Sequence, residues 1–122
     1  MNLISKDEFE LFISELEKQE DIALLLCTFL GLEKEEIKTL TINSQLEDGL
    51  YLYNGDKSRL FEYGESSDRK FLKALLERMS EEEILLISKD MDARFTQLGI
   101  LINKTGMTYE YIRESGKAAG AF

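Results

Sequence analysis

The segment best furnished for chemistry is Asp90-Met91-Asp92, where two carboxylates two residues apart supply the clustered oxygen ligands that a hard divalent cation takes. The same spacing is an ordinary loop feature in a chain with 24 Asp and Glu, because Asp favours turns. Asp90 and Asp92 therefore define a metal-dependent enzyme only as a third reading, and no metal site is assigned. Cys27 is the single cysteine and the chain has no His, so a thiol nucleophile would lack its usual base and Cys27 reads as a small core residue. Neither a Walker-type nor a dinucleotide-type glycine loop occurs. The run Glu81-Glu82-Glu83 reads as a solvated helix end and loop. No catalytic residue and no cofactor is assigned, and the expectation is a protein that is not an enzyme.

What remains is charge. The chain carries a net −9, and the excess is local: residues 1–48 hold 12 Asp and Glu against 4 Lys and no Arg, whereas residues 49–122 set 12 acids against 11 bases. Glu10 and Glu17 line one flank of the first predicted helix and Glu8 and Glu15 the other, each pair seven residues apart and stacked two turns along it. Leu11 falls among them as a possible apolar anchor. Glu33, Glu35 and Glu36 form a second acidic cluster. Such a surface repels nucleic acid and anionic membranes and attracts basic proteins at a salt-sensitive rate. Tyr51 and Tyr53, and likewise Tyr109 and Tyr111, alternate so that each pair shares a strand face, offering secondary aromatic contacts.

These residues need elements to position them. Ser5 with Glu8 makes a capping box and Ile4 with Phe9 a hydrophobic staple, predicting a helix over about 6–19 whose buried stripe is Phe9, Phe12, Ile13 and Leu16. Further helices are predicted over 21–30, ending at Gly31, and over 33–40. Asn54-Gly55 between alternating residues predicts a β-hairpin over 50–63. Ser67 is placed as the cap of a helix over 68–79 with Phe71, Leu72, Leu75, Leu76 and Met79 on its buried side and a mostly basic exposed side. A C-terminal antiparallel strand set follows over 84–88, 94–102 and 107–114. The middle segment is open to a helix reading as well, since Met91, Phe95, Leu98 and Ile102 keep helical spacing; Gly99 and the β-prone Ile100 to Ile102 favour the strand. Residues 115–122 read as a flexible tail. The whole is one α+β domain spanning 1–122.

At 43% hydrophobic and 32% charged the chain has the composition of a folded soluble domain. Its longest apolar run, Ile22 to Leu30, is too short for a bilayer, and the N-terminus lacks the pattern of a secretory signal. With one Cys, the expected location is the cytoplasm. In general character the chain is similar to the small acidic inhibitors that neutralise a toxin or nuclease, as bacterial immunity proteins and phage-encoded inhibitors do, a likeness of type that shares no motif. It implies a protein that blocks the active-site cleft of a basic partner through Glu8, Glu10, Leu11, Glu15, Glu17, Glu33, Glu35 and Glu36. The alternative is an acidic secretion chaperone or adaptor that holds an effector segment. Oligomeric state is open at this point.

Overall fold

Ser5 opens the first helix as its spacing predicts. In the computed structural model, which describes residues 2–122, its side chain accepts the Glu8 amide while Glu8 reaches back to the Ser5 amide, each at 3.1 Å, and α1 runs Lys6–Ser14. The helix is shorter than the predicted 6–19. Ser14 turns its hydroxyl onto the Leu11 carbonyl at 2.6 Å, and Glu15 closes the last turn. The chain then extends at Lys18, so that α2, Gln19–Phe29, starts with Glu20 and Asp21 in its first turn, where the helix dipole favours acids.

α2 is the centre of the molecule: Ala23 through Leu30 are all buried, and the helix packs against α3 (Lys34–Lys38), α4 (Ser67–Arg78), α5 (Glu81–Leu86) and α7 (Tyr109–Ala118). α1 closes over it with Phe9 stacked on Phe29, ring centroids 3.9 Å apart. The hairpin forms where Asn54-Gly55 demands it, β1 (Gly49–Asn54) against β2 (Lys57–Glu62), with Tyr51 opposite Leu60 and Leu52 opposite Arg59. Leu50, Leu52 and Phe61 face the core, and a 3-10 turn at Ile42–Ser44 leads into the sheet. α4 is capped by Ser66 rather than Ser67, and Phe71 of its predicted stripe is exposed.

The C-terminal third overturns the predicted strand set: 84–88, 94–102 and 107–114 fall on helices, and the hairpin supplies the strands seen among the described residues. The acids at 81–83 form the first turn of α5, where Ser80 and Glu83 make a capping box of the same kind as Ser5 and Glu8. α6 spans Met91–Leu101 and buries Met91, Phe95 and Leu98, the helical alternative weighed for that segment. Its Gly99 is required by packing, since a Cβ there would strike the Lys104 carbonyl and the Met107 side chain. α7 continues through the predicted tail. Ser115 is buried and accepts the Ile4 amide at 3.1 Å, and Gly116 lies so close to the Phe29 carbonyl that any side chain would collide with it. Beyond the helix, Ala121 accepts from Arg69, and the Phe122 ring covers Gly31 with the Arg113 guanidinium 5.0 Å from its centre. No helix among the described residues is long and apolar enough to cross a membrane.

Candidate functional site

α1 ends at Ser14, so it carries Asp7, Glu8 and Glu10 behind its own Lys6, while Glu15 caps its end and Glu17 lies past it. The predicted stacking of Glu8 with Glu15 and of Glu10 with Glu17 two turns along one helix does not form. Five ion pairs form among the described residues, and none involves Asp7, Glu8, Glu10, Glu15 or Glu17. Hydrogen bonds from Ser5, the backbone amide first and then the hydroxyl, hold the Glu8 carboxyl below its ordinary range and bind it to the cap. Glu10 is half-buried beside Asp68 of α4; burial first, and then the Asp68 charge, push its carboxyl up. Glu15 and Glu17 are exposed, and Leu11 stands out between the flanks with 63% of its surface in solvent. The last turn of α1 carries no basic residue, so the negative end of its dipole adds to these charges.

The second acidic cluster behaves differently. The Glu36 side chain, 3% exposed, takes a fork of two hydrogen bonds from Arg59, at 2.7 Å from Nε and 2.8 Å from Nη2, and accepts the Glu33 amide as well. Burial alone would push its carboxyl up; the Arg59 and Glu33 hydrogen bonds, with the charges of Arg59 and Arg113, overcome that and hold it low. Glu35 pairs with Lys38 at 3.1 Å, and Glu33 receives the Asn54 side-chain amide at 3.3 Å. Arg59 was not among the residues singled out in the sequence, although its register opposite the inward Leu52 is the signal that turns it to the core.

The tyrosines part company. Tyr51 and Tyr53 share the outer face of the hairpin, ring centroids 5.0 Å apart, with Leu60 exposed opposite Tyr51. Tyr109 and Tyr111 sit on α7, where two residues turn about 200° around the axis. Tyr109 is buried with its hydroxyl on the Leu32 carbonyl at 2.6 Å, and Tyr111 reaches the Asn2 carbonyl at 2.8 Å.

Where the connection from α1 to α2 passes α5 and α6, an open groove of about 560 Å³ is floored by Leu16, Leu86, Leu98 and Leu101. Leu86 is 40% and Leu101 70% exposed. Glu17, Glu20 and Asp90 stand on its rim with Lys18 and Lys89. Arg94 holds the walls together: its guanidinium donates to the carbonyls of Leu86, Ile87, Lys89 and Glu20 and to the Asp21 carboxylate, all between 2.7 and 3.0 Å. The groove escapes a sequence reading because it draws on four elements, two of them predicted as strands.

Asp90 adopts a left-handed conformation (φ 52°) before α6, while Asp92 pairs with Lys34 at 2.9 Å. Among the described residues no three Asp, Glu, His or Cys side chains converge as a metal site would require. Cys27 has no exposure, and burial pushes its thiol up to about 12. No protein family, curated protein or solved structure gives a significant match to the chain.

Proposed function

We propose that this protein is a small acidic binding protein that holds a basic protein partner, and that it acts as an immunity-type inhibitor, covering the active-site cleft of a nuclease-like toxin in the cytoplasm. The observation that carries the reading is the set of carboxylates on α1 and just past its end that form no ion pair, beside the exposed Leu11. A cleft built for phosphates presents Lys and Arg, and the α1 acids match that pattern of charge. Glu15 and Glu17 are the residues to reverse, because both are exposed; Glu10 sits against Asp68, where a lysine would form a new pair and confuse the result.

The test is capture of partners from native lysate at low salt, followed by association kinetics with the captured protein over a range of ionic strength. A basic, stoichiometric partner whose association slows and loses salt dependence in the Glu15→Lys, Glu17→Lys double variant supports the reading. Binding untouched by that variant removes α1 from the interface. The groove floored by Leu16, Leu86, Leu98 and Leu101 favours a second reading, the adaptor or secretion chaperone. It predicts that the captured species is a disordered effector segment with no enzymatic cleft.

A further inference from the structure

The groove itself selects the form of what it can hold. Its α6 wall is a stripe at Arg94, Gln97, Leu98 and Leu101, a spacing of three, four and seven that spans about 10 Å, or two helical turns. On the α5–α6 side the groove's carbonyls are already taken, since Leu86 and Lys89, with Glu20 across from them, receive Arg94. An extended segment lying against that side would strip water from its own amides and find those carbonyls occupied. A helix brings its hydrogen bonds with it. The floor is apolar and open, with Leu86 and Leu101 offering most of the area.

Charge decides which helix. Arg94 and Asp21 neutralise one another, leaving three rim carboxylates, Glu17, Glu20 and Asp90, none of them in an ion pair, against Lys18 and Lys89. Glu15 extends the same sign along α1.

We propose that the groove receives an amphipathic helix of the basic partner, with its apolar side chains seated on Leu16, Leu86, Leu98 and Leu101 and its lysines or arginines turned to Glu17, Glu20 and Asp90. This rests on the reading of the protein as a binder of a basic protein and names the element of the partner that it grips.

The probe is a labelled synthetic peptide of about four helical turns built from Leu and Lys with one apolar face, compared by fluorescence anisotropy with a scrambled isomer of the same charge and no face. The amphipathic peptide is expected to bind the full chain about tenfold more tightly than the isomer. Leu86→Ser and Leu101→Ser are each expected to erase most of that preference, an effect of about 1.4 kcal/mol for tenfold, with the circular dichroism unchanged in both and the melting curve unchanged in Leu101→Ser, whose side chain is 70% exposed. Equal affinity for the two peptides overturns the proposal, as does a preference that survives both serine variants. Sedimentation showing a wild-type dimer that Leu101→Ser dissociates overturns it too, assigning the groove to a second copy. Failure here is separable from failure of the acidic-helix reading. If the serine variants capture the basic partner normally while the Glu15→Lys, Glu17→Lys variant does not, the groove is lost and the α1 interface stands.

Discussion

Two acidic regions that look alike in sequence have opposite fates in the fold. Around residues 33–36 every carboxylate has an internal partner: Glu36 lies buried under the Arg59 fork, Glu35 meets Lys38, and Glu33 accepts Asn54. At and just past the end of α1 the carboxylates of Glu15 and Glu17 form no internal ion pair, and on the helix that of Glu10 faces another acid. Local charge density does not separate the two. What separates them is the neighbour that the topology supplies, because the hairpin turns Arg59 inward over Glu36 and nothing comparable crosses α1. Acid that neutralises part of the fold is structural, and acid left bare is the part available to another molecule.

The sharpest way to break this contrast is Arg59→Ala, which strands a buried carboxylate. We expect a loss of about 3 kcal/mol, the low end for removing one partner of a buried pair, since Arg59 is itself partly exposed. Urea denaturation at pH 7 measures it. The same pair gives a pH signature. The folded Glu36 carboxyl is held low, so its contribution is complete above the ordinary glutamate pKa and is lost as pH falls through the lowered folded value. The difference in stability between wild type and Arg59→Ala should therefore shrink on acidification below about pH 4.

Ser5→Ala comes next, at about 1 kcal/mol, because it removes one half of the capping box; a melting curve at neutral pH suffices. Glu10→Gln should raise the melting temperature slightly at pH 7, since it removes a half-buried charge and its repulsion with Asp68. The sign is opposite to that of Glu36: the folded Glu10 pKa is raised, so its penalty is present at high pH and disappears as pH falls below the ordinary glutamate value. A gain that persists at low pH would show that it does not come from the Glu10 charge. The smallest effect belongs to Glu15→Lys with Glu17→Lys, within about 0.5 kcal/mol for exposed sites. A larger loss would mean that these acids serve the fold after all and would erase the contrast between the regions.

The N-terminal half was legible because its signals are local. A capping box, a staple and an Asn-Gly turn each act within a few residues, and each produced the element it predicts. The C-terminal third was misread for reasons that can be located. Ser80 and Glu83 repeat the signal of Ser5 and Glu8, yet the apolar run Ile84 to Ile87 drew the reading toward a strand. In α7, Tyr109 and Tyr111 mimic strand alternation, while the buried stripe is Tyr109, Ile112, Ser115 and Gly116. Two of those four are small polar or side-chain-free positions that a count of hydrophobic residues passes over. They are small because α7 crosses α2 at backbone contact, a demand set by a helix some ninety positions earlier in the chain. The α1 acids were visible from the start, whereas the pairing of Glu36 and the groove around Arg94 depended on the tertiary fold.

That crossing also sets a schedule for synthesis. Gly116 closes on Phe29 and Ser115 closes on Ile4, so the core sealed by the first helices cannot be completed until the last one has left the ribosome. Such long-range closure slows folding, and in the interval the leucines of α2 lack one wall. The nascent chain is thus most prone to aggregate in the interval between the emergence of α2 and that of α7, with its central helix still uncovered on one side.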